Sequence, residues 1–180
     1  MTPIFTPDFT TVDATFPTYD RGRYRVKVTE QTPFIRETQP DENGNRKTIA
    51  GVHHKLEMVG QFNDEGELDT SLAGKPVSRY TCWLHSEGGW QFAKSFIMAV
   101  SGYDPNSEED QANAELFQAG EWGITGDAGD TAEVIELGES WGAMVDKIVD
   151  VTLSKNVTPG EDGAEDRVEQ DFRSWAPVRD

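Results

Sequence analysis

The sequence predicts a mainly β fold, a β-barrel carrying one or two helices, on three observations. First, RGRYRVKVTE (21–30) sets Arg21, Arg23, Arg25 and Lys27 at every second position, with Tyr24, Val26 and Val28 between them. Successive strand side chains point to opposite faces, so this stretch has one apolar face and one positive face. Second, strand-like runs return at 48–62, 77–85, 148–155 and 168–178, parted by clusters of Gly, Pro, Asn and Asp. Third, the period becomes helical in the middle of the chain, in WQFAKSFIMAVSGY (90–103).

Taken in order, residues 1–20 place Pro3, Pro7 and Pro17 among Thr and Phe and predict an extended arm, tethered by Phe5, Phe9 or Phe16. Strand one runs from about Gly22 to Gln31. QPDENGNRK (39–47) is a turn cluster at the tip of a long hairpin, with Arg46 and Lys47 on its far side. Strand two, roughly Thr48 to Phe62, sets Val52, His54, Leu56 and Met58 against His53, Lys55 and Glu57. After a loop at 63–76, VSRYTCWLH (77–85) forms strand three, with Val77, Arg79, Thr81, Trp83 and His85 on one face. The helix at 90–103 follows Gly88 and Gly89 and stops near Gly102, with Phe92, Phe96, Ile97, Ala99 and Val100 at helical spacing. SEEDQANAELFQAG (107–120) predicts a second helix, capped by Ser107 with acids in its first turn. EWGITGDAGDTAEVIELGES (121–140) is Gly- and acid-rich and predicts loop with one short strand, so 104–140 forms an acidic insertion. WGAMVDKIVDVTLSKN (141–156) leads through a short helical turn into a strand at Ile148–Lys155. TPGEDGAEDR (158–167) turns the chain, and VEQDFRSWAPV (168–178) is the last strand.

This order places one domain over 21–178: three strands, a helix, an insertion and two strands. It is the order of a five-stranded OB-fold, a Greek-key barrel with its helix between strands three and four. A β-sandwich fragment or a viral assembly domain shows the same string of elements.

At 180 residues the chain is long enough to bury a real core, and 10% aromatic content argues against wholesale disorder. The start, MTPIFTPDFTTVDATF, lacks the basic and apolar regions of a signal peptide, and no run of about eighteen apolar residues predicts a membrane span. A single cysteine, Cys82, forbids an intramolecular disulfide and fits a reducing cytoplasm, where it serves as a small buried hydrophobe. The net charge of −17 hides a segregation. From Arg21 to Lys55 there are eight Lys/Arg against four Asp/Glu, and from Leu56 to Asp146 three against eighteen. Exposed charges beyond about 10 Å are screened at physiological salt, so a local basic stripe attracts phosphates despite the acidic total.

Catalytic signatures are missing: there is no GxxxxGK[ST], GxGxxG, HExxH or GxSxG, and no enzymatic activity is expected. His53 and His54 are strand neighbours facing opposite ways, so they make no joint metal site. GDAGD (126–130) lacks the ligand spacing of a calcium loop and is a solvated acidic loop. No metal or other cofactor is expected. The positive signal is cations interleaved with aromatics, since single-strand binding needs charges that track phosphates and flat rings on which bases stack. Arg21, Arg23, Arg25 and Lys27 supply the first on strand one, joined by Lys55. Arg79 beside Trp83 on strand three, and Arg173 beside Trp175 on the last strand, supply both; the alternative for each of these Trp rings is a place filling the barrel, and Tyr24 belongs to the core.

DRGRYRVKV (20–28), FAKSFIMAVSGYD (92–104) and WGAMVDKIVDVTLSKN (141–156), closing with DFRSWAPV (171–178), together resemble bacteriophage-encoded single-stranded DNA-binding proteins of the OB type. The resemblance implies a protein that coats single-stranded DNA in phage replication or recombination, in the host cytoplasm, without a cofactor. It implies a DNA face of Arg23, Arg25, Lys27, Arg79 and Trp83, with Lys55 at its margin. The acidic segment would then recruit replication or recombination proteins, and a homodimer is compatible with this role. The alternative is a phage structural protein, a capsid or tail accessory component, whose extended arm and acidic surface serve protein–protein assembly.

Overall fold

The computed structural model describes residues 17–179 apart from 113–116, 118–119 and 162–163. The proposed anchors Phe5, Phe9 and Phe16 lie outside the described residues. The last residues of the arm are held firmly: Tyr19 is buried, donates its hydroxyl to the Pro76 carbonyl at 2.9 Å, and takes part in the core.

The fold is mainly β, organised around one long antiparallel sheet. β1 (Gly22–Glu37) and β2 (Thr48–Phe62) form a hairpin paired along nearly its whole length. β3 (Leu68–Asp69) and β4 (Pro76–Trp83) both pair with the free edge of β2. Across the sheet, β7 (Ile148–Thr158) pairs with the first half of β1, and β8 (Arg167–Ala176) pairs with β7. The long strands therefore lie in the order β4, β2, β1, β7, β8.

β1 runs six residues beyond the predicted end at Gln31. The cause is a bulge: Val28 faces Leu56 and Glu30 faces Lys55, leaving Thr29 unpaired. An extra residue bends the strand and shifts its alternation. Tyr24, Val26 and Val28 point inward before the bulge, whereas Pro33 and Ile35 do so after it.

α1 (Glu87–Val100) begins and ends three residues earlier than its apolar period predicts. Ser86 accepts from the Gly89 amide at 3.3 Å, so the two glycines lie inside the first turn. At the other end Gly102, at φ +90°, turns the chain left-handed while the Tyr103 amide donates back to the Met98 carbonyl at 2.9 Å. Ala93, Phe96, Ile97 and Val100 face the core, and the helix packs on β4, β7 and β8. In the acidic insertion the described helical turn, α2, is Glu108–Gln111. A two-stranded ribbon follows, β5 (Ile124–Thr125) with β6 (Glu136–Leu137), and a 3₁₀ turn at Glu139–Met144 buries Trp141 and Met144.

The sheet curls but its edges do not join into the predicted barrel. No ladder connects β4 to β8 among the described residues. Rings fill the gap instead: Tyr80 of β4 lies 4.8 Å from Trp175 and 5.2 Å from Phe172 of β8, and Phe96 of α1 lies 4.6 Å from Trp175. No helix of the described residues is long and apolar enough to cross a membrane.

Candidate nucleic-acid interface

The alternating cations of β1 are met by carboxylates of the same chain. Asp150 on β7 stands opposite Arg25 in register and is 1% exposed beneath two guanidinium groups. Arg25 donates from Nε to Asp150 Oδ1 at 2.7 Å and from Nη2 to Oδ2 at 3.3 Å. Arg23 donates to the same Oδ2 at 2.8 Å. The Phe62 ring lies 4.2 Å from the Arg23 guanidinium and 5.2 Å from that of Arg25. Lys27 pairs at 2.8 Å with Asp146, whose φ of 68° is a left-handed backbone that Asp tolerates. The expected open row of positive charge is thus corrected to a bonded seam between β1 and β7. Arg21, one residue before β1, is exposed and has no ion pair among the described residues.

Two further expectations change for geometric reasons. β8 carries a bulge at Arg173: Thr152 faces Ser174 while Leu153 faces Phe172. This inverts the alternation, so Trp175 is 5% exposed in the core and stacks on Phe172 at 5.5 Å. It presents no ring to a base, and Arg173 beside it bonds Asp171 at 2.6 Å and Ser154 Oγ at 3.0 Å. Lys55 is exposed on β2 but pairs with Glu30 across the hairpin at 2.7 Å.

Arg79 and Trp83 do share the outer face of β4, by way of another bulge. Leu56 faces Val77 and His54 faces Tyr80, so Ser78 and Arg79 together oppose Lys55. Val77 consequently turns inward, unlike the residues it alternates with. Beyond the bulges of β1 and β4 the outer face forms a grid of directly opposed residues. One row is Thr32, His53 and Thr81; the next is Phe34, Gly51 and Trp83; beyond them Arg36 opposes Ile49. Opposed residues share a face, so Phe34, His53 and Trp83 are neighbours on the surface.

Their geometry is that of a small aromatic platform. Phe34 stacks on His53 at 4.3 Å with an interplanar angle of 20°, and Trp83 meets Phe34 edge-on at 5.5 Å. Gly51 makes room at the centre, where a Cβ would lie 3.0 Å from the Phe34 ring and 2.5 Å from the Cys82 carbonyl oxygen. Trp83 remains 36% exposed. His53 Nδ1 and Thr81 Oγ1 share a hydrogen bond of 2.8 Å. Burial, then the charges of Arg79 and Arg36, push His53 down to about 4, so its ring is neutral at pH 7. The Arg36 guanidinium sits 5.3 Å over the Phe34 ring. Neither Arg36 nor Arg79 forms an ion pair among the described residues.

The sequence does not assign Phe34, Arg36 or His53 to nucleic-acid binding, and weighs His53 only as a metal ligand. The alternation of Phe34 with Arg36 in TPFIRE carries the signal, but the extra residue at Thr29 puts it out of phase with Arg23, Arg25 and Lys27. Among the described residues no group of three His, Cys, Asp or Glu side chains is placed to hold a metal ion. The arrangement offers flat ring surface flanked by two cations that the fold leaves unspent. A scan against known family models and a search of curated protein sequences found no match to this chain.

Proposed function

We propose that the protein binds single-stranded nucleic acid, DNA in the first instance, on the outer face of β1, β2 and β4. The observation that carries this is the platform of Phe34, His53 and Trp83 flanked by Arg36 and Arg79. Bases stack on such rings without sequence preference, each stack worth about 1–3 kcal/mol, while guanidinium groups hold the phosphates. Three long strands, a helix and two more long strands along the chain support an OB-like reading, a fold whose strand face takes oligonucleotides. The ligand path moves from the expected row on the first half of β1 to its second half, because Arg23, Arg25 and Lys27 are engaged with Asp150 and Asp146. Binding is non-covalent and needs no cofactor. Coating strands exposed in phage replication or recombination is the role we assign to it, with the acidic insertion available to other proteins of that process.

The test is fluorescence anisotropy with labelled single strands of mixed sequence and with duplex of equal length, at about 50 mM and about 200 mM salt. Single strands are expected to bind more tightly, and more so at the lower salt. Phe34→Ala is expected to weaken binding about tenfold. Equal or stronger binding to duplex refutes the proposal. No binding at the lower salt also refutes it and favours a protein-assembly role for this acidic chain.

A further inference from the structure

Past Trp83 the platform opens into a cleft of about 480 Å³ between the end of β4 and the start of α1. Ile49, Trp83, His85, Gly88 and Phe92 line it. Phe92 is 68% exposed although it is a large apolar side chain on a helix whose other face is buried. Such exposure is costly to solubility and marks contact sites when it recurs in a cluster. The far wall is fixed: His85 meets the Trp83 ring edge-on at 5.5 Å and lies 3.4 Å from the Ala50 carbonyl through its Nδ1.

The floor of the cleft carries an independent sign. Gly88 and Gly89 stand together in the first turn of α1, where glycine weakens a helix. Gly89 has a structural reason, since a Cβ there would lie 2.5 Å from the Trp83 carbonyl oxygen. Gly88 has none: a Cβ there meets nothing within 4 Å, and its φ is not one that side chains avoid. A side chain at Gly88 would therefore stand in open space at the border of the cleft.

We infer that this cleft is a nucleobase subsite, in which one unpaired base of the bound strand enters between Trp83 and Phe92. The inference rests on the single-strand binding proposed above and extends it by a defined pocket. The occupant follows from continuity and charge. Trp83 belongs to both the platform and the cleft, and Arg36 opposes the cleft residue Ile49 across the hairpin. A strand whose phosphates meet Arg79 and Arg36 is thereby led to the mouth of the cleft. The cleft is wide and open to solvent, so a base can lie against its rings without displacing any part of the fold.

Two variants test this from opposite sides. Phe92→Ala removes one wall, and Gly88→Leu fills the cleft from a position with room for a side chain. Gly88→Leu is expected to melt no lower than the parent, because leucine favours a helix over glycine. Both are expected to weaken binding of a labelled single strand about tenfold while leaving it measurable. A strand carrying 2-aminopurine at successive positions is expected to show one position whose fluorescence is quenched by the parent protein and recovers with Gly88→Leu. If Phe34→Ala weakens binding while both cleft variants bind as the parent does, the cleft inference is overturned and the platform stands. If the parent binds no single strand, both are overturned.

Discussion

Arg25→Met is the sharpest test of the correction to the cationic row. Asp150 is buried to 1% exposure and receives three hydrogen bonds, two of them from Arg25, including the one on Oδ1. Arg25 is itself only 19% exposed, whereas Arg23 is 53% exposed. Stranding a buried charge by removing its partner costs about 3–5 kcal/mol, and because Arg23 stays in place the lower end applies, about 3 kcal/mol. Arg23→Ala removes one bond from a half-open position and is expected to cost about 1 kcal/mol or less. For a chain of this size each kcal/mol moves the melting temperature by about 2–4 °C. Arg25→Met should therefore melt about 6–12 °C lower than the parent, and Arg23→Ala no more than about 4 °C lower. Adding Asp150→Leu to Arg25→Met removes the stranded charge and should recover most of the loss, since an apolar pair of similar volume replaces a buried ion pair at little cost. Thermal melts of the four proteins followed by circular dichroism decide the matter. Equal small shifts for Arg25→Met and Arg23→Ala, or no recovery in the double variant, would refute the view that Asp150 depends on Arg25.

The remaining predictions concern charge on the platform and protons in the core. Each phosphate contact on a single strand contributes about −0.7 to the slope of log affinity against log salt, so Arg36→Ala with Arg79→Ala should make that slope shallower by up to about 1.4. An unchanged slope in the folded double variant would exclude these two residues from the phosphate path. His54 is fully buried against Phe96 and Trp141, neither ring nitrogen makes a hydrogen bond of good geometry among the described residues, and burial pushes it down to about 4 from 6.5, against a smaller opposing pull from the Tyr80 and Val52 backbone. Its folded value is depressed, so the unfolded chain binds the proton first as pH falls. Stability is complete above about 6.5 and is lost down to about 4, by on the order of 3 kcal/mol. Urea titrations across that window should show His54→Leu losing less stability than the parent, and identical losses would refute the assignment.

The strands were legible because alternation is local. The strand at Thr48–Phe62 lies where its alternation places it, and the inward set of Val52, His54, Leu56 and Met58 follows from parity alone. The bulges were not legible, because each exists only relative to a partner strand. Thr29 is unpaired owing to the register of β2, and Arg173 owing to that of β7. Each bulge changed the functional picture: one brought Phe34 and Arg36 to the outer face, another sent Trp175 into the core. The pairing of Arg25 with Asp150 spans 125 positions along the chain, beyond any periodic signal. Four cations in RGRYRVKVTE therefore promised a phosphate track, while two of them tie β1 to β7 through Asp150 and a third pairs with Asp146 just before β7.

The ring-filled gap between β4 and β8 makes the molecule unevenly durable. β1 has bonded neighbours on both sides, but β8 has one, and its other side rests on Tyr80, Phe96 and their contacts with Phe172 and Trp175. Because these four rings touch one another, none can leave alone without uncovering the rest. β4 likewise has one ladder neighbour among the described residues, so the gap joins two edge strands whose side-by-side hold is made by rings alone. Tyr80 stands on the same strand as Trp83, so loss of the β8 rings would uncover the inner side of the strand that carries the platform, and the state of the C-terminal strand bears on the aromatic face.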